Sequence, residues 1–227
     1  MRLLAIDTAL AACSAALLDT AFGGIVASES RPMTNGHAEA LIPLLARLME
    51  KSGMKFRDLD RVVVTTGPGS FTGLRVGISA ARGIALAAKK PALGLSTLSA
   101  FAGPHLASDD KVPIVAVIDA RHQNVYLQVF GPGGRTSTTP RLAPLREAVT
   151  AASEVPALIV GSAAQAVAAA LPPTDARPAG VDARAAPDIL WVARMGAALP
   201  EGQSPPRPEY LRAPDAQPQN AARLPRR

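Results

Sequence analysis

A chain of 227 residues, 48% apolar but only 4% aromatic, can bury one sizeable core or two small ones built mainly from Ala, Leu, Val and Ile. Its single cysteine, Cys13, excludes an intrachain disulfide and a cysteine-based zinc cluster, and no run approaches the ~20 apolar residues of a membrane helix. The net charge of +6 invites an anionic partner, yet several arginines lie in the final stretch and define no face; with no signal-peptide pattern before Asp7, a soluble cytoplasmic protein is expected.

In chain order, residues 2–31 read as three strands, RLLAID, CSAALLDT and GGIVASESR, whose short connections make them antiparallel neighbours. A helix follows from His37 to Lys51, with Leu41, Leu44, Leu45 and Leu48 at helical spacing. Ile42 and Met49 widen that stripe, and Pro43 is expected to bend the helix. RVVVTT (61–66) is a buried strand, and 73–89 is the next helix, N-capped by Ser70 or Thr72. Its cations, Arg75, Arg82 and Lys89, recur every seven residues on one narrow face. The rest is apolar or glycine, so this helix needs cover on more than one side, from its own sheet and from a partner.

ALGLS (92–96) is a strand, Thr97–Leu106 a short helix, and SDDK (108–111) a polar break separating lobes 1–107 and 108–200. In the second lobe VPIVAVID, NVYLQVF and RTSTTPRLA are strands, with GPGG a turn. Pro144–Ala152 is a helix, PALIVGS a strand, SAAQAVAAAL a helix and Asp188–Leu199 the last helix. The Pro-rich tail, 201–227, is expected to lie extended over the surface or to be disordered. LLAIDTALAACSAALLD and IVAVIDARHQNVYLQVF share one plan, with Asp7 and Asp119 at equivalent ends of their first strands. The pattern is a duplicated α/β fold with a second lobe that is short and poor in strands.

TTGPGSFTGLRVG, from Thr65 to Gly77, joins strand, glycine-rich turn and helix N-terminus, the arrangement in which a backbone cradles phosphate. It is not a Walker loop: Gly67 and Gly73 are one residue too far apart, and Leu74 stands where lysine belongs. Two readings stay open. In one, Gly67, Pro68, Gly69, Ser70 and Gly73 bind nucleotide while Asp7 and Asp119 hold Mg²⁺ or orient water, as in an active ATPase or kinase. In the other, the glycines permit a tight turn with a structural or interface role, and the aspartates accept backbone hydrogen bonds in their turns. Glu39 is the one further carboxylate placed to join them. His37, His105 and His122 lack metal-ligand spacing and read as hydrogen-bonded surface residues, and Cys13 as a small core residue. Ser70, Ser96 and Ser99 have no histidine near in sequence and no G-x-S-x-G elbow, so a protease has no motif behind it.

The segments LLAIDTALAACSAALL, HAEALIPLL, GPGSFTGLRVGISAARGIALA, PALGLSTLSAFA, DAR followed by VY, and PEYLRAPDAQ stand in the order of the TsaB family, also called YeaZ. The chain resembles that family over nearly its whole length, most densely over 3–103, and departs from it at Asn124 and in its alanine-rich second lobe. The resemblance implies an actin-like, sugar-kinase-like ATPase fold of ribonuclease H-like lobes, in keeping with the duplication. It also implies a subunit without catalytic residues, the bacterial partner of TsaD in placing a threonylcarbamoyl group on N6 of the adenosine beside the tRNA anticodon. TsaD, a paralogue, carries an H-x-x-x-H metal pair after the same loop; in register, that pair falls on Thr97 and Phe101 here. A hydroxyl and a phenyl ring do not replace two imidazoles.

By the same resemblance the chain has no cofactor or metal of its own. ATP and a metal belong to TsaD and to the ATPase TsaE, and tRNA is met through the complex. The implied contact with TsaD is a helix bundle using 37–51 and 73–89, through Leu41, Leu44, Leu45, Leu48, Leu74, Gly77, Ile78 and Ala81. Without TsaD, the same patch is expected to form a homodimer. On that reading Gly77 admits a partner helix, and Gly77→Leu breaks the complex while leaving the monomer folded.

Overall fold

The first strand, β1 (Arg2–Asp7), is apolar on both sides because a helical layer covers each. Leu4 and Ile6 face one layer while Leu3 and Ala5 face the other, the alternation a pleated strand imposes. The computed structural model describes residues 1–106, 112–173, 178–200, 202 and 204–212. β1 pairs antiparallel with β2 (Ala12–Asp19), which pairs with the edge strand β3 (Gly24–Pro32). On its other side β1 runs parallel to β4 (Arg61–Gly67), and β4 to β5 (Ala92–Ser96), giving the order β3-β2-β1-β4-β5.

One face of this sheet is covered by α1 (His37–Ser52) and α2 (Phe71–Ala88). α1 forms because Leu41, Leu44, Leu45 and Leu48 fall on one stripe; each is at most 1% exposed, and burying each contributes about 2 kcal/mol. It stops at Gly53, whose left-handed backbone (φ 65°) suits a glycine C-cap. α2 begins at Phe71, with Ser70 as N-cap: the Ser70 hydroxyl accepts the Gly73 N–H at 3.3 Å.

The second sheet repeats the first. β6 (Ile114–Asp119) pairs antiparallel with β7 (Asn124–Phe130), β7 with β8 (Arg141–Pro144), and β6 runs parallel to β9 (Leu158–Val160) and β9 to β10 (Gly180–Asp182). The order β10-β9-β6-β7-β8 is that of the first sheet, strand for strand. α4 (Leu145–Ser153) and α5 (Ala164–Ala169) cover one face, matching α1 and α2. The remaining helices cross over. α3 (Thr97–Leu106) lays Leu98, Phe101 and Ala102 on the second sheet, while α6 (Ile189–Ala198) lays Ile189, Val192 and Ala193 on the first. Two antiparallel and two parallel pairings, repeated with this order, are the duplicated actin-like, sugar-kinase-like architecture.

The structure revises several sequence expectations. The second lobe is not poor in strands: its sheet has five, like the first, and its shortness lies in three-residue β9 and β10. The boundary at 108–200 misplaces α6, which belongs to the first lobe's core, held there by buried Arg61 donating to the carbonyls of Gly196 (3.3 Å) and Leu199 (2.8 Å). The whole 108–111 break, residues 201 and 203, and the tail beyond 212 lie outside the described residues. Within RTSTTPRLA only 141–143 enter the β8 strand, with a single bridge from Thr136 to Phe130.

The largest revision concerns the helix pair. Leu41, Leu44, Leu45, Leu48, Leu74, Ile78 and Ala81 are at most 3% exposed and pack against the chain's own sheet, so they present no surface to a partner. Gly77 is buried likewise: a Cβ there would strike Thr8 Oγ1 and lie 3.4 Å from Val64 Cγ2. Its close neighbour is β1's own turn, not a partner helix. Gly77→Leu is therefore expected to unfold the isolated chain, lowering stability by about 3 kcal/mol or more, read as a shifted urea midpoint at unchanged slope. A wild-type midpoint would contradict the packing.

Candidate functional site: the Gly67–Gly73 loop and its cleft

The loop from Gly67 to Gly73 leaves β4 at its carboxyl end, where open α/β sheets bind ligands. Here the chain fills the position itself. The turn after β1 presses into the loop: the Ser70 N–H donates to the Ala9 carbonyl at 2.8 Å, and the Thr8 hydroxyl to the Gly73 carbonyl at 2.7 Å. A Cβ on Gly69 would strike the Ala9 carbonyl, and one on Gly73 the Thr8 carbonyl. The glycines thus permit backbone to approach backbone. With the Ser70 N–H on Ala9 and the Gly73 N–H capped by the Ser70 hydroxyl, two of the donors a phosphate could use are turned to internal partners.

In the second lobe Asp119 ends β6 but is exposed, its Oδ1 accepting the Arg121 N–H at 2.8 Å and its own N–H donating to Ser162 Oγ at 3.1 Å. Arg121, His122 and Gln123 all hold left-handed backbones (φ 62°, 51° and 59°), an unusual run for non-glycine residues. They border a cavity of about 480 Å³ beside Asp119. Asp119 thus occupies the position equivalent to Asp7 in topology but not in environment.

Other candidates disperse. His37 is buried, not on the surface, and its Nε2 meets the Leu10 carbonyl at 3.0 Å; His105 pairs with Asp182 at 2.9 Å. Glu39 stays exposed in the first turn of α1. Cys13 is buried, as expected. Thr97 and Phe101 are buried, Phe101 within the apolar contact between α3 and the second sheet. Among the described residues no group of three His, Cys, Asp or Glu side chains could hold a metal ion. No helix of the described residues is long and apolar enough to cross a membrane.

Sequence reasoning missed a cluster at the start of α2. Phe71 stacks on Tyr210 (centroids 5.1 Å apart, planes at 29°), Arg75 lies 3.7 Å over the Phe71 ring, and Arg75 Nε donates to the Tyr210 hydroxyl at 3.0 Å. The sole advance signal was an aromatic and an arginine in PEYLR, within a tail otherwise rich in proline.

Asp7 is the site's most perturbed group. It is 0% exposed; Oδ1 accepts the Thr65 hydroxyl (2.5 Å) and the Ala9 N–H (3.2 Å), while Oδ2 has no partner among the described residues. Burial pushes its carboxyl up from 3.8 to about 6, against the opposing pull of Thr65, Ala9 and His37. The folded chain therefore keeps a proton that the unfolded chain has lost, and stability falls as pH rises from 3.8 to about 6. Above that window the buried charge costs about 3 kcal/mol. Asp7→Asn is expected to stabilise the chain by up to that ~3 kcal/mol at pH 7.5 and by almost nothing at pH 3.5. Denaturant titrations at the two pH values read the difference.

Comparison with known proteins then places the chain. The family model for TsaD, tRNA N6-adenosine threonylcarbamoyltransferase, matches residues 11–171. The tRNA threonylcarbamoyladenosine biosynthesis protein TsaB of Escherichia coli is 38% identical over 126 residues, 56% of this chain and 53% of that protein. The chain thus spans about half the length of that relative. An uncharacterized protein of Mycobacterium tuberculosis is 33% identical over 222 residues, 95% of this chain and 93% of that one. The solved structure of YeaZ from Pseudomonas aeruginosa superposes with a TM-score of 0.77 at 29% identity, covering 92% of this chain and 99% of that one. With the duplicated sheets, the self-filled loop and a likeness that runs from end to end, the chain belongs to the TsaB family, also called YeaZ.

Proposed function

We propose that the chain is a non-catalytic subunit that docks on a TsaD-type transferase and with it supports threonylcarbamoylation of N6 of the adenosine beside the tRNA anticodon. The name carried by its E. coli relative and the match to the TsaD model support the pathway. The observation that carries the docking role is the outer side of α1 and α2. Ile42 is 60% exposed, Phe71 43% and Leu86 81%, large apolar side chains on the helix pair whose inner side is fully used by the sheet. The docking face is therefore this outer side; Leu41, Leu44, Leu45, Leu48, Leu74, Gly77, Ile78 and Ala81 set the position of the two helices from within.

The sealed Asp7 and the self-filled loop support the non-catalytic half of the reading. On it, ATP and metal reside on TsaD and TsaE, tRNA is met through the assembly, the setting is the cytoplasm, and a second copy covers the outer face when TsaD is missing. Reconstitution of tRNA modification from purified components, with and without this chain, tests the role: turnover is expected only with the chain present. In the same assay Ile42→Glu combined with Leu86→Glu should abolish co-purification with TsaD while changing the chain's own stability by no more than about 0.5 kcal/mol. Retained complex in that variant would place the contact elsewhere.

A further inference from the structure

Beyond α6, residues 204–212 include a stretch that lies against β4 and β5 of the first sheet. Pro206 is buried, and a Cβ on Gly94 of β5 would lie 3.5 Å from it. The Glu209 N–H donates to the Thr66 carbonyl at the end of β4, at 2.7 Å. Gly67, at φ 117°, leaves room for the Glu209 carbonyl, which would lie 2.8 Å from a Cβ there. Arg212 Nη1 then reaches the Ala120 carbonyl in the second lobe at 3.0 Å. Between these fixed points stands Tyr210, 42% exposed and held by Phe71 and Arg75.

A half-exposed tyrosine fixed by a ring stack, a hydrogen bond and a backbone anchor one residue away has already lost the rotamer freedom that binding would otherwise cost. Ordered aromatic and arginine side chains at the edge of an apolar face are the composition of interface anchors. The charge along α2 selects the occupant on that side of the face. α2 contains no Asp or Glu, and its exposed side carries Arg75 and Arg82, followed by Lys89 at the C-cap. A second copy packed α2 against α2 would bring these cations together, whereas a helix bearing carboxylates beside its apolar stripe would neutralise them.

We infer that the returning tail completes the docking face, and that Tyr210 is a specificity-determining anchor for an acidic amphipathic helix of the TsaD-type partner. This rests on the partner reading above and names the chemistry of the surface it uses. The contact joins the first and last parts of the chain, so a partner on α2 also bears on the segment that reaches Ala120.

The test uses the full chain and purified TsaD from the same source, with binding measured by titration calorimetry at low and high salt. Tyr210→Ala is expected to weaken binding by about tenfold or more. Tyr210→Phe, which keeps the stack and loses one hydrogen bond, should stay within about fivefold. Both variants should melt cooperatively near the wild type, and wild-type affinity should fall as salt rises. Arg82→Glu should weaken binding and flatten that salt dependence. If Tyr210→Ala binds TsaD as the wild type does, while Ile42→Glu with Leu86→Glu does not bind, the partner reading stands and the role of the tail falls. If Tyr210→Ala alters self-association but not TsaD affinity, the occupant is a second copy and the inference is overturned. If the wild type fails to bind TsaD, both readings fall together.

Discussion

The structure turns on how closely the turn after β1 sits inside the glycines that open α2. Ala9 accepts from Ser70, Thr8 donates to the Gly73 carbonyl, and Thr8 Oγ1 occupies the space beside Gly77. This contact fixes the start of α2 against β1 and β4, and so fixes which side of the helix meets the sheet and which is left outside. It also engages the Ser70 N–H, one of the donors that a strand–turn–helix would otherwise offer to an anion.

The two lobes are alike in topology and unlike in how they end their central strands. β1 closes on a carboxylate sealed from water, with one oxygen bonded twice and the other unmatched among the described residues. β6 closes on an exposed one beside a left-handed turn. A pair of aspartates acting on one nucleotide would need both to face the cleft. Here burial raises the cost of the Asp7 charge, a cost that the surrounding fold must be stable enough to bear.

Much of this was readable beforehand. Period-two and period-3.6 patterns located β1 to β5, α1, α2 and α6, and the repeated strand–Asp–turn–strand plan disclosed the duplication through Asp7 and Asp119. A place before an apolar run narrows the N-cap to Ser70 or Thr72, and the structure selects Ser70, with α2 starting at Phe71, two residues before the expected Gly73. What the pattern could not convey was direction in space. Leu74, Ile78 and Ala81 look the same in sequence whether a sheet or a partner covers them, and the family resemblance assigned them to a partner contact although the sheet had already claimed them. β10 escaped notice because three residues in parallel pairing have too little length to show a period. Tyr210 and Phe71 lie 139 positions apart, and no local rule joins them.

The placement of α6 bears on how the chain is made. Leu3, Ala5 and Val63 are complete in sequence before residue 70, yet the helix that shelters them is assembled from residues 189–198. As translation proceeds from the amino end, this face of the first sheet stays wet until the last helix clears the ribosome, so the two lobes mature together rather than one after the other.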